Sequence, residues 1–426
     1  MQKEIFSFSR SMVFQCLLMF VGICLGLWVN GYFLVLVAGV TLFTAIFTGF
    51  NNVYYQLFFC LPFTMIYKLS PTSTSLFAYV MLAVGVILLF KLRNFGTAQF
   101  LLIMMFAIYV FLGMGNNVTT VIKMIIALIL FYVFVKKIKA EDFKNQIMSF
   151  TLGMVGSSCI GLLKGSWYRL DMYYSDIDFI SVDGANLIRF SGLYPDPNYF
   201  SVSVIVAITL CLLLLYNRDG NRMVLAISIM SLIVFGFMSY SKMFMLSILI
   251  VAVGFAFRVI EPAKRRAASM TFVAITVYIV WLWMSERNYM SIMVDRFLGG
   301  DISTGRFDIW ANYMNYIWSS PKTFLFGDGL GASYRTVGGP HNTYIESIYF
   351  IGVIGSVLFA LVLLTIFKSR RLIGKRTLFN YLLPIVFLLM ILTLGCLTVN
   401  DLMFYCMLIW ASLNYDTKLK ESYSRT

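Results

Sequence analysis

The stretch GGPHNTYIESIYFIGVIGSVLFALVLLTIF, residues 338–367, decides how the chain is read. From Tyr344 to Phe367 it is almost wholly apolar and long enough to cross a bilayer as a helix. Thr343-x-x-Glu346 has the spacing of a capping box, which sets the expected helix start just before the apolar run. His341, the only histidine in the chain, then falls at the membrane surface beside a helix N-terminus.

Working outward, similar apolar runs recur at 11–29, 31–48, 53–67, 75–90, 97–113, 119–135 and 149–164. They resume at 199–216, 223–238, 243–258, 269–285, 380–397 and 401–413. With 60% hydrophobic and 12% charged residues, this is not the pattern of a water-soluble globule. The reading is an all-α, polytopic integral membrane protein of twelve to fourteen transmembrane helices, with 223–258 open to reading as a broken pair. The first run reads as an anchor and not as a cleaved signal peptide. The seven cysteines lie mainly within apolar runs and show no metal-ligand spacing, so they read as packing residues.

The net charge of +14 raises nucleic acid as a partner, but its distribution argues against one. With the N-terminus placed in the cytoplasm, most of the 33 basic residues fall in short cytoplasmic segments, as the positive-inside rule expects. Both termini are then cytoplasmic. The expected organisation is a transmembrane scaffold (1–164), a first extracytoplasmic loop (165–198), central helices (199–285), a large extracytoplasmic loop (286–342), and C-terminal helices with a tail (343–426). Lys123, inside the sixth run, lies near enough to the outer end to snorkel.

The two outer loops hold the residues that suggest chemistry. The large one carries Arg287, Arg296, Arg306 and Arg335, on the side where positive charge is disfavoured. Arginine presents a planar fork of donors that suits phosphate oxygens and stays charged when partly buried. Arg306 opens an expected surface helix whose Arg306, Trp310, Tyr313, Met314 and Ile317 share one face, with Trp310 at headgroup level. FGDGLGASYR (326–335) offers flexibility at Gly327, Gly329 and Gly331 and exposed amides for an anion, without the Lys-Ser/Thr of a P-loop. A lone histidine does not make a zinc site, but His341 is suited to general-base work near neutral pH. In the first loop, LIRFSGLYPDPNYFS (187–201) sets Arg189 ahead of two prolines and Asn198, the expected cap of the next helix. That loop also carries Asp171, Asp176, Asp178, Asp183 and Asp196, the first four read either as contacts to ligand hydroxyls or as a solvated face. Lys242, in SYSKMF, is a third basic group on the same side.

In this order the residues resemble the O-antigen ligase and polysaccharide polymerase (Wzy/WaaL-like) superfamily over roughly 186–360. The correspondences are Arg189, Gly192, Pro197 and Asn198; Ser241-Lys242 in place of a Ser-Arg turn; Arg306 and Trp310; Pro321, Gly327 and Gly329; and His341, Asn342, Gly352 and Gly355. Lys242 departs from the pattern, keeping the charge and losing the bidentate fork.

The resemblance implies a GT-C-like glycosyltransferase acting on an undecaprenyl-diphosphate-linked oligosaccharide at the outer face of a bacterial plasma membrane. Under it, His341 takes the proton of the acceptor hydroxyl, and Arg189, Arg306 and Lys242 hold the diphosphate, with Arg296 and Arg335 of second rank. Asn198, Trp310, Gly329, Asn342 and Glu346 support them. Arginines would neutralise the leaving group without a metal or cofactor, and a single displacement would invert the anomeric centre. The expected activity is polymerisation of capsular, exo- or O-antigen repeat units, beside the flippase and chain-length regulator of the same pathway. A ligase moving glycan to a lipid core or protein shares the donor. A transporter is the alternative of another class, disfavoured because the unusual charges collect in loops and not at midplane.

Overall fold

The computed structural model describes residues 8–70, 73–92, 96–113, 118–163, 179–182, 185–258, 305–335, 339–370, 378–397 and 401–415. Their regular secondary structure is helical apart from one two-stranded ribbon. The helices are α1 (Arg10–Trp28), α2 (Tyr32–Phe47), α3 (Phe50–Cys60), α4 (Leu76–Lys91), α5 (Thr97–Leu112), α6 (Val118–Lys137) and α7 (Phe143–Leu162). Strands β1 (Phe179–Val182) and β2 (Ala185–Ile188) pair antiparallel, Phe179 opposite Ile188. There follow α8 (Pro197–Tyr216), α9 (Arg222–Met238), α10 (Lys242–Arg258), α11 (Arg306–Trp318), α12 (Pro321–Phe326), α13 (Thr343–Lys368), α14 (Leu378–Met390) and α15 (Asp401–Leu413). The apolar run at 269–285 lies outside the described residues.

Four described helices, α1, α6, α8 and α13, are long and apolar enough to cross a membrane, and shorter apolar helices lie beside them. Their outward faces are apolar: Phe14, Leu36, Phe47, Phe90, Met105, Leu112 and Val357 are all exposed. Apolar exposure on this scale marks a multi-pass membrane protein, whose outer surface meets lipid. Several predicted runs are cut short for local reasons. The run at 53–67 breaks at Pro62 into a 3-10 turn, Leu61–Phe63. The run at 380–397 leaves its helix at Met390 because 391–397 turns back onto α13. The run at 223–258 is two helices joined at 239–241, where Tyr240 takes φ 50°.

Helix α8 is the hub. Of its apolar window 83% is buried, against 33% for α1, and it packs on α7, α9, α10 and α14. A second core of edge-on rings joins α3, α6, α7 and α15: Phe58–Phe134 at 5.7 Å, Phe134–Trp410 at 6.1 Å and Phe143–Trp410 at 5.5 Å between centroids. The seven cysteines are unpaired. Lys123, half-buried in α6, lies within electrostatic reach of Lys68.

The far ends of these helices carry basic groups. Lys144 pairs with Asp219 at 3.3 Å, Tyr415 also donates to Asp219, and Arg370 donates to the Ile138 carbonyl at 2.9 Å. The near ends of α8 and α13 carry Asp196 and His341.

Candidate functional site

Four segments distant in sequence meet where α8, α10, α11 and α13 begin. The first is 189–198. Gly161, at the end of α7, lies so close that a Cβ there would fall 2.9 Å from the Gly192 backbone, and Gly192 itself takes φ 57°. Phe190 donates its amide to the Met238 carbonyl at 3.0 Å, with its ring 5.4 Å from Phe200 and 5.5 Å from Phe235. Arg189 is thereby seated against the turn between α9 and α10. Its Nε donates to the Ser239 carbonyl at 2.9 Å, and its terminal nitrogen donates to Asn198 Oδ1 at 3.2 Å. The Ser241 hydroxyl donates to the same Asn198 oxygen, also at 3.2 Å, and Lys242 follows as the first residue of α10.

Asn198 is not the helix cap that the sequence suggests. Asp196 is, its Oδ1 accepting the Asn198 amide at 2.5 Å, with Pro197 at the first helical position. Aspartate before proline satisfies both preferences of a helix start at once, which frees the Asn198 side chain to link Arg189 and Ser241.

Arg306 opens α11, preceded by Gly305 at φ 75°. The predicted helical face is the inward one: Tyr313 and Ile317 are fully buried, while Arg306, Trp310 and Met314 are half-buried. Trp310 is tied to the loop before α13. Its indole N–H donates to the Pro340 carbonyl at 2.9 Å, because a half-buried indole needs an acceptor and the loop before α13 offers one. Phe307 and Trp318 are the exposed aromatics of α11.

His341, one residue on, sits at φ 47°, a left-handed conformation rare outside glycine. Asn342 caps α13, accepting the amides of Tyr344 at 2.9 Å and Ile345 at 3.1 Å. This corrects the capping box expected of Thr343 and Glu346. Thr343 donates to the Leu394 carbonyl at 2.6 Å, and the fully buried Glu346 accepts from Tyr334 at 2.7 Å and from the Leu397 amide at 3.0 Å. Both side chains reach 391–397, and Glu346 also holds Tyr334.

The electrostatics join the segments. Burial pushes the His341 imidazole below its ordinary value, the Arg306 guanidinium lowers it further, and Asp196 offsets part of this. Burial likewise lowers Arg306, with Asp196 acting in the opposite direction. Asp196, Arg306 and His341 therefore share one local field, next to Arg189 and Asn198.

The glycine-rich turn does different work from that expected. Gly352 breaks α13 at φ 62°, ψ 179°. The carbonyls of Tyr349, Phe350 and Ile351 beside the break accept from the Asp328 amide, the Gly329 amide and the Tyr109 hydroxyl at 2.8, 2.8 and 2.7 Å. The Asp328 and Gly329 amides thus serve the kink and not an anion. A Cβ on Gly329 would fall 2.0 Å from the Gly113 carbonyl oxygen. Arg335 stacks 3.7 Å over the Tyr316 ring, beside Asp328, which accepts from Tyr316 at 2.7 Å. Arg296, Arg287, Asp171, Asp176, Asp178 and Asp183 lie outside the described residues.

No protein-family model matches the chain, and no curated protein is similar to it in sequence. Among the described residues, the cluster offers two guanidiniums, one carboxylate and an imidazole whose neutral form burial favours, with Lys242 next to Ser241 in the chain. Such a set can bind a polyanion and accept a proton.

Proposed function

We propose that the chain is a membrane glycosyltransferase of GT-C-like architecture that polymerises oligosaccharide repeat units carried on a polyprenyl diphosphate. One observation carries this reading: Arg189, Arg306 and the sole histidine, far apart in sequence, come to one end of the bundle beside Asn198 and Lys242. In the proposed topology that end faces outward, and the opposite end, with Lys144 and Arg370, faces the cytoplasm together with both termini.

The proposed reaction is a single displacement. The acceptor hydroxyl attacks the anomeric carbon of the donor sugar while its proton passes to the His341 imidazole. The new glycosidic C–O bond forms as the C–O bond to the diphosphate breaks, and the electron pair leaves on the phosphate oxygen. Arg189 and Arg306 stabilise that developing charge, with Lys242 adding a third positive group. His341 is suited to the base role because burial and Arg306 favour its neutral form. The configuration at the anomeric carbon inverts, and the polyprenyl diphosphate departs into the outer leaflet.

The test uses purified protein in nanodiscs with synthetic undecaprenyl-diphosphate repeat units as the only substrate. Wild type yields a ladder of lipid-linked products, and His341→Ala yields none. Transfer only after addition of a lipid core or an acceptor protein would make the protein a ligase. A folded preparation inactive in both formats, or an H341A variant that still elongates, would end the proposal.

A further inference from the structure

The mechanism so far gives no part to Asp196, the one carboxylate of the cluster among the described residues. Three features fix its position. Proline stands on both sides of it, at 195 and 197, which restricts the backbone. Its Oδ1 holds the Asn198 amide at 2.5 Å as the cap of α8, the most enclosed of the four long apolar helices. The next side chain but one, Asn198, is tied to Arg189 and Ser241. The carboxylate is therefore held on a rigid frame. Hydrogen bonds bring that frame to the other two elements: Tyr199 of α8 donates to the Gly395 carbonyl, Thr343 of α13 donates to the Ile391 and Leu394 carbonyls of the same segment, and Trp310 of α11 donates to Pro340, the residue before His341. Arg306 and His341 accordingly lie within the electrostatic reach of Asp196.

We infer that Asp196 is a positioning residue, the counter-charge that lets the His341 imidazole and the Arg306 guanidinium occupy one site and that balances the charge His341 gains with the acceptor's proton. An arginine beside a base opposes protonation of that base. In the proposed transfer, the imidazole becomes a cation while Arg306 remains one, and a fixed carboxylate acting on both offsets that repulsion. Among the described residues, the charged groups acting on the imidazole are Arg306 and Asp196, with Arg189 hydrogen-bonded to Asn198 and Lys242 next to Ser241 in the chain as further cations. The role in proton transfer rests on the glycosyltransferase reading; the electrostatic coupling does not.

The chain contains a single histidine, so its titration can be followed without any substrate. Diethyl pyrocarbonate acylates only the neutral imidazole, and the rate of carbethoxylation against pH gives the His341 midpoint in the intact protein in detergent. Asp196→Asn keeps a good helix cap and removes the charge, as does Asp196→Ser, so either separates the electrostatic role from the capping one. Both variants are expected to move the midpoint to lower pH than wild type, with a melting temperature close to it, and to lose turnover in the ladder assay. A midpoint that stays in place or rises in folded D196N and D196S would overturn the inference, whatever the ladder assay shows. A midpoint that falls while folded wild type is inactive both alone and with an added lipid core or acceptor protein would leave the coupling standing and end the glycosyltransferase reading alone.

Discussion

Trp310 donates its indole N–H to the carbonyl of Pro340 at 2.9 Å, so the helix that begins with Arg306 holds the residue next to His341. The guanidinium and the imidazole are thus set by one rigid link and not by two independent loops. Trp310→Phe keeps the ring and deletes the donor. A net loss of about 1 kcal/mol is expected from one such bond. Turnover in the ladder assay should fall more than donor affinity does. Steady-state kinetics on the nanodisc protein checks this, and an unchanged kcat would show that the link has no part in the chemistry.

Arg189 uses two different nitrogens on two acceptors, the Ser239 carbonyl and Asn198 Oδ1. A lysine has a single ammonium on a flexible stem and does not span both. Arg189→Lys is therefore expected to lose activity although the charge is kept. Asn198→Ala should behave similarly, because Arg189 and the Ser241 hydroxyl lose a shared acceptor. A double variant that is no worse than the more damaging single one would show that the two act as a unit. Additive losses would show that they act separately.

The helical class and the grouping of Arg306, Tyr313 and Ile317 on one face of α11 were legible because 20-residue apolar runs and helical spacing are local properties of sequence, whereas the inward direction of that face depends on tertiary partners. What was misread depends on tertiary partners. Thr343 and Glu346 have capping-box spacing, yet their side chains satisfy donors and acceptors in 391–397, which no local pattern reveals. Asp196 was missed as a site member although its signal was present: aspartate before proline is a helix start, and a capped carboxylate beside two arginine-bearing segments has company. The glycines of 327–331 invited an anion-loop reading because the kink at Gly352 that consumes the neighbouring amides is invisible until α13 is folded.

That kink gives a stability prediction. Gly352 has φ 62°, and a Cβ there would lie 2.3 Å from the Leu325 carbonyl oxygen. Gly352→Ala carries the left-handed penalty of roughly 1–2 kcal/mol for a residue with a Cβ, before any clash. The contact is with backbone, so relief requires moving α12 away from α13. A substantially lower melting temperature is expected, together with loss of the ladder, since α12 and the Gly327–Gly329 turn are both seated on the kink. A variant that melts like wild type would mean that α13 runs straight at little cost.

The last prediction concerns the turn after α14. Glu346 is fully buried, and its two carboxylate oxygens accept from different elements, the Tyr334 hydroxyl and the Leu397 amide. Tyr199, in the first turn of α8, donates to the Gly395 carbonyl in the same segment. The start of α8, the start of α13 and residues 391–397 are thus one hydrogen-bonded unit directly behind Asp196 and His341. Glu346→Ala leaves the Leu397 amide and the Tyr334 hydroxyl without this acceptor, and each buried polar group so orphaned costs about 1–3 kcal/mol. Glu346→Gln keeps one carbonyl oxygen, so it should lie between wild type and alanine in melting temperature. Because the unit frames the cluster without belonging to it, the His341 carbethoxylation midpoint should stay close to wild type in E346Q while the protein melts earlier. A midpoint displaced as far as in the Asp196 variants would instead place the Glu346 charge within the field of the site.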